Sequence, residues 1–429
     1  MAVVAQPTAR ADWSSVASLP AGRSYPGSAI AGGNWIVAGG QEASLTATPP
    51  VVSYDPVTDS WNIVSTLDVV GTFLQAASDP ATGTALFVSE HEAVDGVDDA
   101  FLTDGTSWRS SRMHTPRHGH ALAFAAGKFV VTGGWGAYLN PITDPEQSPS
   151  FEMAMADAEV LDPATGVWSD GGSMPGGARI WHQMTALADG HRILVTGGCL
   201  SSGALNTADV LDVTTMTWSA AAPMAEPRCR HGAVLLHDGR VLVTGSLSSN
   251  GAQIGADSEL YDPTTNSWRA AAPMHQARTE HVTLVLPDGR VLVAGGTDDA
   301  SEGEVGALTS AEVYDPLADS WTTLPSMHDA RRSPTGVVLG GAAYITGGSN
   351  GDAVPSVKDP SATMTGAVRI LATTERLTFD APPAAVPASP ASSGGCSLPP
   401  GSPANARWTW LVLAVIAQGV RRRTGANRR

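Results

Sequence analysis

The chain is predicted to be all-β: a closed propeller of seven four-stranded units, with the N-terminal strand completing the last one. Three observations predict this. An apolar run, in most units ending in Gly-Gly, recurs seven times; a segment of the type Glu-Val-Tyr-Asp-Pro follows it; and a Trp stands shortly beyond the Asp-Pro pair. Repetition at this spacing is the signature of an array whose units cannot bury their apolar faces alone.

The apolar runs are Trp35-Ile36-Val37-Ala38-Gly39-Gly40, Ala85-Leu86-Phe87-Val88, Phe129-Val130-Val131-Thr132-Gly133-Gly134, Ile193-Leu194-Val195-Thr196-Gly197-Gly198, Val241-Leu242-Val243-Thr244-Gly245, Val291-Leu292-Val293-Ala294-Gly295-Gly296 and Ala343-Tyr344-Ile345-Thr346-Gly347-Gly348. Their β-branched content predicts strands. The partner segments end at Tyr54-Asp55-Pro56, Leu102-Thr103, Leu161-Asp162-Pro163, Leu211-Asp212, Tyr261-Asp262-Pro263, Tyr314-Asp315-Pro316 and Phe379-Asp380. Asp-Pro opens a turn before the Trp strand, and Trp supplies the apolar face on which one blade packs against the next. The markers are Trp13, Trp61, Trp108, Trp168, Trp218, Trp268 and Trp321. Trp13 precedes the first run and no Trp follows Asp380, so the N-terminal strand is expected to close the seventh blade and remove both free edges. The second unit, residues 72–108, is the weakest, with Ser89-Glu90-His91 in place of the Gly pair.

Gly-Gly, Tyr-Asp-Pro and Trp in this order over residues 12–380 resemble the kelch repeat family. The resemblance implies a propeller whose loops bind proteins, glycans or small ligands, with copper-dependent galactose oxidases as an enzymatic branch. Fold alone does not choose among these.

The organisation read from the sequence has four parts: residues 1–11 as a possible remnant of a signal peptide, 12–380 as the propeller, 381–407 as a linker rich in Pro, Ala, Ser and Gly, and 408–429 as an apolar segment with an Arg-rich end. Ala2-Val3-Val4-Ala5 followed by Ala9-Arg10-Ala11 reads as the end of a signal h-region and an A-x-A site, an ordinary polar start being the alternative. The linker is expected to be extended and disordered. Beyond it, Trp408 to Val420 is a short apolar helix candidate, bounded by Arg421-Arg422-Arg423. At 13 residues it is short for a span of about 20, yet the two Trp and the Arg cluster mark membrane interfaces. Gly-Gly-Cys396, a spacer, an apolar helix and an Arg cluster together resemble the myxobacterial C-terminal sorting tail called MYXO-CTERM. That resemblance makes Cys396 the processing and anchoring residue and implies membrane association and display at the cell surface.

Composition narrows the function classes. Residues 1–400 hold 19 basic against 41 acidic side chains, and so acidic a body repels phosphate backbones, which argues against nucleic acid. The three cysteines, Cys199, Cys229 and Cys396, are too few for a disulfide scaffold and show no zinc spacing. Cys199 follows a Gly-Gly strand and Cys229 opens the next unit, so these two are candidates for a bridge between neighbouring blades.

Arg-x-x-His recurs at Arg117/His120, Arg179/His182, Arg228/His231 and Arg278/His281. Converging His can bind a metal, but a residue repeated blade after blade usually makes the same local hydrogen bond, and no metal site is assigned. The acidic pairs Asp98-Asp99 and Asp298-Asp299 read as solvated carboxylates rather than Ca²⁺ ligands. A galactose-oxidase-like oxidase is the alternative function, but its ligand set is incomplete here: it requires a His from a domain after the propeller, and no His follows His328. No catalytic residue and no cofactor is expected. The binding candidates are residues that break the repeat on one face: Trp135 and Tyr138, in the long insertion from Trp135 to Ala158, with Trp181, Arg230 and Arg332. Aromatics with Arg are typical of recognition hot spots, and packing of a loop Trp on its own blade is the alternative. The expected partner is a protein or a glycan.

Overall fold

The computed structural model describes residues 11–42, 49–65, 74–89, 99–136, 154–247, 254–299, 306–350 and 369–379. The possible signal remnant up to residue 10, Tyr138, the linker, Cys396 and the apolar tail lie outside the described residues. Seven four-stranded antiparallel sheets follow one another, blades 1 to 6 over 27–65, 75–112, 121–173, 183–220, 232–271 and 282–323. Blade 7 takes three strands from 335–379 and its fourth from Ala11–Val16, which pairs antiparallel with Thr374–Phe379 in the register Trp13 to Leu377. Each first strand packs on the first strands of both neighbours, and blade 1 packs on blade 7, so the ring closes around an axis lined by first strands. Among the described residues no helix is long and apolar enough to cross a membrane.

Burial explains the composition of each strand. Second strands such as Val241-Leu242-Val243 are fully buried on both faces because one face meets the preceding blade and the other the following one. Fourth strands are largely exposed and reach inward through Trp. Seven apolar cores result, each straddling two blades; that between blades 4 and 5 joins Leu194 and Val210 to Val241, Val243, Tyr261 and Trp268.

The Trp markers also lock direction. The indole N–H groups of Trp13, Trp61, Trp218, Trp268 and Trp321 donate to main-chain carbonyls of the preceding blade or its exit, and that of Trp168 donates to Ser111 Oγ, at 2.7–2.9 Å. The Tyr of Tyr-Asp-Pro has a second function, since Tyr54, Tyr261 and Tyr314 donate to Asp59, Asn266 and Asp319, turn residues with positive φ two positions before the Trp. The Gly pair is required by close approach. At Gly133, with φ +59°, a Cβ would lie 2.6 Å from the Arg179 carbonyl of the next blade. Blade 2 forms all four strands without such a pair.

Two outcomes follow. Removing residues 1–18 leaves blade 7 with three strands and an open edge, so aggregation or a large fall in Tm is expected, and an unchanged melting curve would disprove the latch. Trp268→Ala is expected to cost about 3–5 kcal/mol in denaturant unfolding, as a large truncation at a blade interface.

Candidate functional site

The face that carries the binding candidates is built on one repeated arginine. Arg117, Arg179, Arg228, Arg278 and Arg331 are buried where the chain enters a blade. In each, Nη1 donates to the carbonyl of the first Gly after the second strand and to a carbonyl at the start of the third strand, as Arg228 does to Gly245 and Asp257 at 2.9 and 2.8 Å. Nη2 meets a third-strand carboxylate, Glu159, Asp209, Glu259, Glu312 or Glu375, at 2.6–3.1 Å. That carboxylate also accepts the main-chain N–H three residues before the arginine. The residue after each arginine pairs with the residue after the Gly pair, as His118 with Trp135, Ile180 with Cys199 and Arg332 with Ser349. Entry segments and second-strand exits therefore share one face.

Two residues beyond each arginine the backbone turns left-handed. Tyr25, Gly119, Trp181, Arg230, Glu280 and Ser333 have φ between +50° and +67°. Five of the six pass a hydrogen bond to the blade before: Trp181 N–H donates to Gly119 O, Arg230 to Trp181, Glu280 to Arg230, Ser333 to Glu280 and Tyr25 to Ser333, at 2.8–3.2 Å. These positions form a main-chain girdle that presents a side chain from blades 1, 4, 5, 6 and 7.

The side chains on this girdle and on the adjoining His118–Trp135 pair form a connected row. Ring centroids of His118 and Trp135 are 4.4 Å apart, Trp135 meets Trp181 edge-on at 5.5 Å, and the Arg230 guanidinium lies 3.7 Å above the Trp181 ring. Glu280 then accepts five hydrogen bonds from three other blades: from Arg230 Nη1, from Arg332 Nε and Nη2 at 2.8 and 3.1 Å, from Tyr25 at 3.0 Å and from Ser333 Oγ at 2.5 Å. Burial pushes the Glu280 carboxyl up, but the two guanidinium charges and these bonds outweigh it and hold the group well below the usual carboxylate range. Burial, reinforced by the Glu280 charge, pushes the Tyr25 hydroxyl up to about 12.

Beneath the row, Cys199 and Cys229 form a disulfide between blades 4 and 5, with Cα atoms 5.6 Å apart. It is buried with Ile180, and Trp135 and Trp181 pack over it. The structure thus brings together Trp135, Trp181, Arg230 and Arg332. Both arginines are largely buried, with side chains only 15% and 17% exposed, and both are paired to Glu280. Glu280, Tyr25 and Ser333 were missed. The available signal was to count two residues past each repeated arginine.

The repeated histidines are spent locally. His182, His231 and His281 place Nε2 2.7–3.0 Å from the hydroxyls of Thr132, Thr196 and Thr244, each on the second strand of the preceding blade. Among the described residues no group of three or more His, Cys, Asp or Glu is placed to hold a metal ion. Asp298 accepts a bond from Gln276.

Fold, repeat and girdle define the class: a seven-bladed β-propeller. Residues 156–348 match the KLHDC2/KLHL20/DRC7 Kelch-repeats domain. Over 180 residues, 39% of its length, the chain is 30% identical to adagio-like protein 2 of Oryza sativa subsp. japonica, and it spans 26% of that protein. Two solved structures share the fold. One is YjhT, at 16% identity and TM-score 0.56 over 72% of this chain and 99% of that one. The other is a fungal alcohol oxidase of the AA5 family in complex with copper, at 13% identity and TM-score 0.61 over 87% and 76%.

The buried histidines give the fold a pH dependence. Burial first, then the neighbouring Arg117 or Arg228, lowers His120 and His231 to about 3, and His182 and His281 lie well below the ordinary value. In the unfolded chain they titrate near 6.5, so between about 3 and 6.5 the unfolded state binds more protons. Their contribution is complete above about pH 6.5 and is lost as pH falls toward 3. Urea unfolding of His231→Gln at pH 6, 5.5 and 5 is expected to show a pH slope shallower by about one proton, roughly 1.4 kcal/mol per pH unit; an unchanged slope would mean that His231 is charged in the fold.

Proposed function

We propose that the protein is a non-catalytic binding propeller, displayed outside the cytoplasm, that holds a protein partner against the face carrying Trp135, Trp181 and Arg230, a glycan being the alternative ligand. The observation that carries this reading is the fixed aromatic and guanidinium row. Both arginines are held by Glu280 before any partner arrives, so less side-chain entropy is lost on binding. Half-buried Trp and Arg flanked by spent polar groups match the composition of interaction hot spots. The kelch architecture supports a binding or scaffolding role.

Export is supported by the Cys199–Cys229 disulfide, since such bonds persist in oxidising compartments. The tail that resembles a sorting signal extends the reading to attachment at the cell surface through Cys396. A galactose-oxidase-like activity is the second reading. The alcohol oxidase likeness bears on it, although at 13% identity it shows the fold alone.

Cross-linking on intact cells separates these readings. Wild-type protein is expected to capture a discrete partner that Trp181→Ala and Arg230→Gln each lose about tenfold, or 1.4 kcal/mol, while both melt well above Trp268→Ala. Undiminished capture by both variants would remove this face as the recognition surface. A glycan array distinguishes the alternative ligand, peroxide release from alcohols after copper loading tests the oxidase, and membrane fractionation of Cys396→Ser tests the anchor.

A further inference from the structure

Arg23 departs from the other buried arginines. Its guanidinium is as fully buried as theirs and donates to the carbonyls of Gly39 at 3.5 Å and Pro50 at 3.1 and 3.2 Å. Among the described residues it has no carboxylate bond. The register that places Glu159 opposite Val131 in blade 3 places Val52 opposite Val37 in blade 1. The amide that a carboxylate would take is also gone, because Pro20, which has no N–H, stands three residues before Arg23. Arg23 Nε is buried without a partner, as Nε is in Arg117, Arg278 and Arg331, so the difference lies in the missing carboxylate. Burial lowers Arg23 to about 10, and the opposing charge that acts on it is Glu42, which is half-buried.

Five sister blades show what this environment requires. In each the same guanidinium, on the same two kinds of carbonyl, is neutralised by a carboxylate. A guanidinium buried without its counter-charge carries a desolvation penalty of several kcal/mol, and a close anion offsets much of it. Valine in place of glutamate removes the carboxyl group and keeps a short stem. We propose that blade 1 takes a small monovalent anion from solvent, chloride or a small carboxylate such as formate, onto the Arg23 guanidinium.

The location gives the anion a consequence. Arg23 N–H donates to Leu371 O at 3.1 Å, and Arg23 O accepts from Gly348 N–H at 2.9 Å, both in the region of blade 7. Arg23 thus stands at the seam where the ring closes, on the axial side, opposite the latch at the rim. Occupancy at this point couples ring closure to the anion in solution.

The test is thermal unfolding of the full chain in sodium chloride, formate and gluconate at equal ionic strength, with bromide crystals as the direct readout. Wild-type Tm is expected to be about 2–4 °C higher in chloride or formate than in the larger gluconate. The order of chloride and formate identifies the preferred anion. Val52→Glu, which restores the missing carboxylate, is expected to abolish the difference, and wild-type crystals grown with bromide are expected to show an anomalous peak within hydrogen-bond reach of Arg23. An anion effect that persists in Val52→Glu, or wild-type crystals without bromide at Arg23, overturns the proposal. So does a loss of stability in Glu42→Gln that no anion restores, which would assign the counter-charge to Glu42. Failure of Val52→Glu to fold leaves the bromide measurement decisive.

Discussion

The ring depends on a buried guanidinium used in two directions at once. Within a blade the arginine side chain gathers the exit of the second strand, the start of the third and a third-strand carboxylate. Between blades its main-chain carbonyl accepts the second glycine N–H of the blade before, as Arg179 O does from Gly134 and Arg228 O from Gly198. Removing one member of a buried pair leaves the other charged and unsolvated, at a cost of about 3–5 kcal/mol. Blade 2 fits this logic. Phe101 holds the carboxylate position opposite Phe87, and Gly71 stands at the sequence position of the arginine, so both members have been replaced together. Blade 1 kept the cation alone.

Seven apolar runs, seven Trp markers and the missing last Trp made the blade number and the N-terminal closure legible, because each is a repeated apolar feature with one structural task. The histidines were legible for the same reason. A pattern that recurs at one register meets the same neighbours each time, and Thr132, Thr196 and Thr244 are those neighbours.

The girdle was less legible because its residues share a conformation rather than a chemistry. Tyr, Gly, Trp, Arg, Glu and Ser have no common property, so the position between Arg and His reads as noise until the left-handed backbone is seen. Arg230 and Arg332 stand out in the sequence as irregular cations. Glu280 does not, since one acidic residue among 41 carries no mark. Its role arises only when the closed ring brings blades 5, 6, 7 and 1 to one carboxylate.

This arrangement separates what folds the ring from what distinguishes its surface. The girdle bonds are made by main-chain atoms, so they tolerate any side chain that accepts φ near +50°. Gly119 shows that the backbone alone is served by glycine, whereas an L-residue in the left-handed region costs about 1–2 kcal/mol. Five of the six positions carry that cost. Four of their side chains repay part of it internally: Glu280 binds Arg230, Tyr25 and Ser333 directly. Trp181 gains the guanidinium stack and the packing on the disulfide, yet it remains half-buried, with Trp135 beside it. Trp181 thus combines a left-handed backbone with a ring held by Arg230 and by the disulfide beneath it, so the most elaborately supported side chain of the girdle is also the one that stays beside Trp135 on this face.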